Sequence, residues 1–330
     1  MSLLNKKGSN VAQPKVSEEE FIALWKQHKS ATKVAQVTGI NVRAVQERRR
    51  RVENRLGIIL DSLDAQGRPK FVTPEDKIRC NYTIEDGVIV VGSDAHYWPG
   101  YVSTAHRGFV EVIKRVKPNM VVLNGDIFDG HSVSRHGRIS WQDKGPTVKE
   151  ELEAVQARLG EIEAVRPAGC ILHRTIGNHD SRFEGKLCND VPQYEGVFGT
   201  ILKDHLPEWS YSWSVMVNND CMIKHRWHNG IHAVYNNTLK SGTTMVTGHL
   251  HSLKVTPWTD YRGDRYGVDT GTLSALGGPQ FLYLEDSPVN WRAGFAILTF
   301  RDGRLLPPEL AHVVDEDAGE ILFRGQIITV

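Results

Sequence analysis

The sequence has few cysteines and lacks long apolar runs. Four Cys occur among 330 residues, none in a Cys-x-x-Cys pair, which excludes a disulfide scaffold and a zinc ribbon and fits reduced thiols. No apolar stretch approaches the roughly 18 residues that cross a bilayer, and the N-terminus has no apolar segment typical of a signal peptide. We therefore expect a cytoplasmic protein without a membrane-spanning segment.

The charge is nearly balanced overall but unevenly distributed. The formal net charge is +1, yet residues 1–57 hold twelve Lys and Arg against five Asp and Glu, a net charge of +7, so the remainder carries −6. A basic segment of this kind indicates either a contact with nucleic acid or another polyanion, or a solvated basic helix face.

Patterning divides the chain into four segments: a disordered N-terminus (1–16), a helical module (17–57), a linker with one or two short strands (58–85) and an α/β domain (86–330). In the last segment, short apolar runs alternate with helical stretches, which is typical of α/β folds. After residue 252 the pattern becomes rich in strands, and it includes a predicted strand over Phe281–Leu284.

Polar side chains follow the ends of five predicted strands. The five motifs are Asp94-x-His96, Gly125-Asp126-x-x-Asp129, Gly177-Asn178-His179-Asp180, His225 with His228, and Gly248-His249-x-His251. Strand ends are where open α/β sheets place their sites. A set of oxygen and nitrogen ligands without thiolate suits Mn, Fe or Zn. Seven side chains of this set hold two ions if one carboxylate bridges them.

In this order the five motifs resemble those of the calcineurin-like metallophosphoesterases, over about residues 86–300. The resemblance implies a four-layer α/β/β/α sandwich that hydrolyses phosphate esters. It also implies two divalent transition-metal ions as cofactors, with manganese preferred and Fe, Zn or Ni as alternatives. A hydroxide bridging the two metals would attack phosphorus.

The resemblance also implies a role for each motif residue. The implied metal ligands are Asp94, His96, Asp126, Asn178, His228, His249 and His251, with Asp126 as the bridge. His225 is the alternative to His228. The resemblance places His179 at the scissile phosphate, where it assists the leaving oxygen. Asp180 would fix the tautomer and pose of His179, and Asp129 could orient a ligand histidine.

Residues near the first two motifs are candidates for substrate contact. They are Tyr97, Trp98, His131, Arg135 and His136. The two aromatic side chains would either stack on a base or simply pack against the strand end. The histidines and the arginine would either bind substrate phosphate or lie in a solvated loop.

Residues 31–50 match a helix-turn-helix pattern, with predicted helices over 31–38 and 42–56. Ala35, Gly39 and Val45 occupy the positions of the small residue at the helix crossing, the turn glycine and the apolar anchor. The candidate DNA contacts are Asn41, Arg43, Gln46, Arg48, Arg49 and Arg50. The concentration of basic residues favours DNA binding over a hairpin used for protein contacts. The combination of modules resembles predicted phage and bacterial metallophosphoesterases.

Together these features predict a metal-dependent phosphoesterase acting on phosphodiesters, with nucleic acid as the preferred substrate. One alternative is a phosphatase or phosphodiesterase of small molecules or nucleotides. Another is a DNA-binding regulator with a metal-binding scaffold domain. A protein phosphatase is less favoured, because Asp180 stands where such enzymes have glutamate.

Overall fold

The structure, a computed structural model, describes residues 16–56, 58, 60, 78–135 and 144–330. The chain divides into two compact units, Met1–Glu75 and Asp76–Val330. The predicted disordered N-terminus, apart from Val16, and most of the predicted linker lie outside the described residues. Within the described part, no helix is both long and apolar enough to cross a membrane.

Over its described residues, the first unit contains three helices around a small apolar core. They are α1 (Glu18–His28), α2 (Ala31–Thr38) and α3 (Val42–Leu56). The Ser17 hydroxyl accepts a hydrogen bond from the Glu20 backbone and so caps α1. Helix α2 ends at Gly39, whose φ of 67° suits glycine. The core includes Phe21, Trp25, Val34, Val45 and Val52.

In residues 78–135 and 144–330, the second unit contains two sheets and four α-helices. The helices are α4 (Thr104–Val116), α5 (Val148–Val165), α6 (Asp180–Asp190) and α7 (Ala233–Ser241). The strands are β1 (Arg79–Tyr82), β2 (Gly87–Gly92), β3 (Met120–Asn124), β4 (Ile171–Thr175), β5 (Ser210–Ser212), β6 (Ser214–Val217), β7 (Cys221–Lys224), β8 (Thr244–Thr247), β9 (Lys254–Asp260), β10 (Gly263–Asp269), β11 (Gly294–Arg301), β12 (Arg304–Leu305), β13 (Glu309–Asp315), β14 (Glu320–Phe323) and β15 (Gln326–Thr329).

The nine-stranded sheet has the order β15-β14-β13-β11-β2-β3-β4-β5, with β12 beside β11. The six-stranded sheet has the order β1-β6-β7-β8-β10-β9. Strands β2, β3 and β4 are parallel neighbours in the first sheet, and β7 and β8 are parallel neighbours in the second. Carboxyl ends of parallel neighbours lie at the same sheet edge. This topology therefore brings together the segments that follow these five strands.

The two sheets face each other across an apolar layer. Ile89 and Val91 of β2 pack there with Val215 and Val246 of the other sheet, whereas Val90 points to the opposite side, under α4 and α5. This alternation is the two-residue period of a strand buried on both faces. Helix α7 packs on β8, β9 and β10. The layers are therefore α/β/β/α, which confirms the predicted fold class.

Two details of the prediction differ from the structure. The segment predicted as a strand over Phe281–Leu284 lies in a 3₁₀ helix, Pro279–Leu284. Pro279 at the first position has a fixed φ and favours a helical start. In addition, β1, placed in the linker by the sequence, pairs in parallel with β6 and is part of the second unit.

Candidate metal centre

The ligand-type side chains lie on tight loops directly after the strands. Asp94, His96, Asp126, His249 and His251 all have left-handed backbone conformations, with φ between 41° and 72°. Side chains other than glycine rarely adopt this region, and such strain concentrates at functional sites. Each loop turns sharply at its ligand-type residue. As a result, carboxylate and imidazole groups that follow strands of both sheets lie close together at one sheet edge.

A first group at this edge consists of Asp94, His96 and His251, whose ligand atoms lie within 4.8 Å of one another. Asp94 Oδ2 accepts a hydrogen bond from the His249 backbone, and Asp94 Oδ1 faces His251 Nε2 at 3.1 Å. His96 Nδ1 bonds Asp129 Oδ1 at 2.9 Å. Asp94 Oδ1 and His96 Nε2 are buried without a hydrogen-bond partner among the described residues. A buried carboxylate oxygen and a buried imidazole nitrogen of this kind are donors that transition-metal ions bind.

A second group consists of Asp126, His225 and His249. His225 Nε2 lies 3.0 Å from Asp126 Oδ2 and 3.2 Å from Asn178 Oδ1. The same nitrogen is 4.0 Å from Asp94 Oδ1, so the two groups adjoin. His225 Nδ1 donates to the backbone carbonyl of Asn124 at 2.8 Å, which orients the ring and leaves Nε2 toward the group.

The structure brings His225, and not the preferred His228, to this group. Strand β7 ends at Lys224, so His225 leaves the strand end directly, as the other motif residues do. His228 lies farther along the turn before α7, where its ring stacks on Trp227 and its backbone N–H donates to Asn237. The alternative left open by the sequence therefore replaces His228 in the candidate ligand set.

Glycines of the motifs leave room for these side chains. Gly125 has a φ of 81°, and a Cβ there would overlap the ring of His225. A Cβ on Gly177 would overlap the carboxylate of Asp126. Glycine is needed at both positions because ligand-type side chains occupy the space of a Cβ.

The group is strongly coupled electrostatically. Burial alone would raise the pKa of Asp94, but His251 and His225 lower it to about 2. The pKa of Asp126 lies below its usual range because its interactions with histidines, chiefly His225, outweigh burial. Burial would lower the pKa of His225, but Asp126 and Asp94 raise it to about 10. The carboxylates are thus ionised, and positive charge is favoured between them.

His179 lies beside the first group, with its ring centroid 4.6 Å from that of His96. Its Nδ1 is 2.8 Å from the Asp129 carbonyl oxygen and 3.2 Å from Asp129 Oδ1. Asp129 therefore contacts both His96 and His179. His179 Nε2 is 3.0 Å from a guanidinium nitrogen of Arg182. Sequence reasoning did not single out Arg182, although its spacing of three residues from His179 on a helix could have indicated the contact.

Asp180 does not orient His179 as predicted. Its Oδ2 accepts from the backbone N–H groups of Asp126 and Gly177, and its Oδ1 accepts from those of Ile127 and Phe128. As the first residue of α6, Asp180 projects back onto the loop after β3. It fixes the backbone of that loop, and the contacts expected of it at His179 are made by Asp129.

The candidate substrate residues differ in their surroundings. Tyr97 is buried and its hydroxyl bonds His106 at 3.0 Å, so it packs in the core and offers no face for stacking. Trp98 is half-buried against the ring of His131. The His131 backbone donates to Glu151, and Arg135 is exposed. The last candidate of this set, His136, lies outside the described residues.

An aromatic wall that the sequence did not indicate borders the first group. The Phe281 ring is 5.7 Å from that of His96, and the Trp291 ring is 4.4 Å from that of His251. Tyr283, half exposed, continues from Phe281. Phe281 and Tyr283 come from the segment predicted as a strand, and Trp291 lies in the loop before β11, so the wall depends on the path of two loops that the pattern does not contain.

The candidate DNA contacts on α3 fall into two sets. Arg48 donates to the Val16 carbonyl and its guanidinium lies 4.8 Å from the Phe21 ring centroid. Arg49 pairs with Glu53 and lies over Trp25. These two arginines thus pack within the module. The remaining set is exposed and consists of Asn41, Arg43, Gln46 and Arg50. Among them, Asn41 Oδ1 accepts from the Arg43 backbone and so caps the helix.

Comparisons with known proteins give distant similarities. No family model matches the chain. The Gene 54 protein of Mycobacterium phage L5 is 26% identical over 231 residues, which cover 63% of this chain and 87% of that protein. Among solved structures, the phosphoesterase Yfce from E. coli aligns with a TM-score of 0.31 at 16% identity, covering 67% of this chain and 97% of Yfce. A dimetal phosphatase from Danio rerio gives 0.35 at 11%, covering 66% and 94%.

Proposed function

We propose that the second unit is a calcineurin-like metallophosphoesterase that hydrolyses phosphodiesters with two divalent metal ions. The observation that carries this proposal is the pair of adjoining ligand groups, Asp94–His96–His251 and Asp126–His225–His249, at one edge of the two sheets. Buried carboxylate and imidazole atoms without hydrogen-bond partners are costly unless a cation binds them. The motif order of the sequence supports the same reading.

The residues present fit two ions. The first ion would be held by Asp94, His96, Asp126 and His251, and the second by Asp126, Asn178, His225 and His249. The donor set of oxygen and nitrogen without thiolate suits manganese, iron or zinc. Asp129 contacts the His96 ring, and the Asn124 carbonyl accepts from the His225 ring. Such hydrogen bonds to the second ring nitrogen fix the orientation of metal-binding histidines.

The protein's own groups then act on the substrate. Two divalent ions at these positions would bring positive charge to the phosphoryl oxygens and acidify water. His179 Nδ1 donates to the Asp129 carbonyl, so its Nε2 lies on the opposite side of the ring, beside the Arg182 guanidinium. We assign to this nitrogen the proton transfer to the leaving oxygen. Phe281 and Trp291 pack against the His251 ring and so help to fix its orientation.

The metal assignment makes a paired prediction for the two histidines that the sequence left open. His225→Ala is expected to remove one of the two ions and to abolish turnover, because its Nε2 faces Asp126 and Asn178. His228→Ala serves as the matched control and should retain both ions. Metal content of dialysed protein, measured by inductively coupled plasma mass spectrometry, distinguishes them. A loss of metal in the His228 variant alone would reverse the assignment.

We propose nucleic acid as the substrate class because of the first unit. Exposed Arg43, Gln46 and Arg50 lie on α3 of a segment with a net charge of +7. Arginine side chains bind phosphates and base edges. In a helix-turn-helix, the second helix of the motif enters the major groove of DNA, and α3 is that helix here. Arg48 and Arg49 pack within the module. The proposed DNA-contact surface therefore includes fewer arginines than the sequence predicted.

Single substitutions test this surface. Each phosphate contact contributes about 0.9 to the slope of log affinity against log salt. Arg43→Gln and Arg50→Gln are therefore each expected to reduce that slope for duplex DNA by about 0.9. Lys26→Gln, an exposed position on α1, is the control of equal charge change. Fluorescence anisotropy at several salt concentrations gives the slopes. Slopes equal to that of the control would remove α3 from the DNA interface.

The hydrolytic activity itself is tested with manganese and four substrates in parallel: bis-p-nitrophenyl phosphate, p-nitrophenyl phosphate, and single- and double-stranded DNA. Hydrolysis of the diester and of DNA supports a nuclease. Hydrolysis of the small esters without DNA supports the small-molecule phosphodiesterase or phosphatase. Absence of turnover on all four, with metal bound, supports the DNA-binding regulator.

A further inference from the structure

Arg182 presents its guanidinium next to His179 at the edge of the candidate metal centre. It lies in the first turn of α6, three residues after His179. Its Nη1 donates to the Asp129 carbonyl at 3.0 Å, and its Nη2 is 3.0 Å from His179 Nε2. The same carbonyl accepts from His179 Nδ1. One backbone oxygen thus fixes both side chains, and their outer nitrogens stand side by side.

The position of the guanidinium is restricted by packing. The aliphatic part, or stem, of the Arg182 side chain packs against Gly130. A Cβ added to Gly130 would lie 3.2 Å from both Cβ and Cδ of Arg182. Gly130 has a φ of 67° and its backbone N–H donates to buried Glu151. The stem therefore rests on a loop that is itself held in place, so the guanidinium is positioned before any ligand binds.

Among the described residues, Arg182 makes no direct ion pair, although the buried Glu151 carboxylate lies close enough to interact with its charge. The side chain is half-buried, yet within residues 78–135 and 144–330 it takes part in no ion pair with a carboxylate. Its neighbours at hydrogen-bond distance are a backbone carbonyl oxygen and an imidazole nitrogen, and neither is a carboxylate. Partly buried guanidinium groups are stabilised by carboxylate or phosphate, which they bind through parallel N–H donors. An anion is the partner that this position lacks.

We propose that Arg182 binds a non-bridging oxygen of the substrate phosphate. The inference rests on the proposed function and assigns a further residue to the same site. Nη2 of Arg182 and Nε2 of His179 are separated by a distance comparable to that between two oxygens on one phosphorus. When a phosphate oxygen replaces the imidazole as acceptor for Nη2, Nε2 of His179 is free to take a proton from water and to transfer it to the leaving oxygen. Arg182 thus positions the ester and uncovers the acid–base group together.

Two readouts test the assignment on the full chain loaded with manganese. Arg182→Gln is expected to lower kcat/KM for bis-p-nitrophenyl phosphate on the order of 10²-fold, the size of one lost donor to developing charge. By isothermal titration calorimetry, its Kd for inorganic phosphate should rise by about 10-fold or more, as expected for one charge-assisted hydrogen bond. Metal content should not change. Arg182→Lys, which keeps the charge but loses the fork, should recover part of both losses.

Lys186→Gln is the matched control, because Lys186 lies one turn farther along α6, is exposed and pairs with Asp190. Wild-type phosphate affinity and kcat/KM in Arg182→Gln would overturn the inference while leaving the proposed function intact. If Arg182→Gln unfolds at a markedly lower temperature, the lysine variant decides by the same two measurements. If the wild-type protein hydrolyses no ester, the proposed function fails, and the phosphate titration still tests Arg182.

Discussion

Asp126→Asn is expected to abolish hydrolysis and to remove metal from both positions. Its carboxylate belongs to the second group, and its proposed role is to bridge to the first. Asparagine keeps the size and one carbonyl oxygen, so the bond from the His179 backbone to Oδ1 is preserved. The negative charge is lost for both ions at once. We expect turnover to fall by roughly 10⁴-fold or more, beyond the effect of a single acid–base group.

The measurement combines metal content, turnover of bis-p-nitrophenyl phosphate and thermal unfolding. Asp190→Asn, at an exposed position on α6, is the control for loss of one carboxylate. Wild-type metal stoichiometry in Asp126→Asn would contradict the bridging assignment. Loss of metal with a melting temperature equal to that of metal-free wild-type protein would support it, because the effect would then lie in the charge and not in the packing.

His179→Ala is expected to lower kcat by roughly 10²–10⁴-fold while both ions are retained. The His179 ring is fixed by the Asp129 backbone carbonyl and faces Arg182, and neither contact belongs to the proposed coordination spheres. The loss of kcat should be larger for DNA than for bis-p-nitrophenyl phosphate. The p-nitrophenolate ion leaves without being protonated, whereas the sugar oxygen of DNA needs a proton to leave. The ratio of the two losses therefore reports on proton transfer to the leaving group.

His312→Gln, on β13, is a suitable control for the general effect of losing a histidine. Equal losses on both substrates would indicate that His179 binds the phosphate without donating a proton. A fall in metal content would instead place His179 in a coordination sphere and contradict the proposed role. Either result would be distinguishable from unfolding by the melting temperature of the metal-loaded protein.

The candidate site was predictable from the sequence to the extent that its residues follow strand ends. Runs such as Met120–Leu123 are apolar and buried, so the polar residues after them had to lie at a sheet edge. The choice between His225 and His228 was not predictable, because it depends on where β7 ends. The resemblance to the family favoured His228, but in this chain His228 lies in the turn before α7.

Other features depended on side-chain direction, which a sequence pattern does not contain. Asp180 was predicted to support His179, but its position as the first residue of α6 points it at the loop of Asp126. Phe281–Leu284 is a short apolar run of the kind found in buried strands, and Gly277-Gly278-Pro279 before it was the signal for a turn. Arg48 and Arg49 resembled DNA contacts because charge alone does not distinguish a solvent-facing arginine from one lying over an aromatic ring.

The left-handed conformations of five ligand-type residues set stability against activity in this domain. Each L side chain held in that region costs on the order of 1–2 kcal/mol, and glycine or asparagine would relieve much of it. Replacing any of the five would remove an aspartate or histidine from the proposed ligand set. At these positions, selection for a more stable fold therefore opposes selection for the proposed reaction. A descendant chain released from the reaction would be expected to lose these residues first, while retaining the apolar layers beneath them.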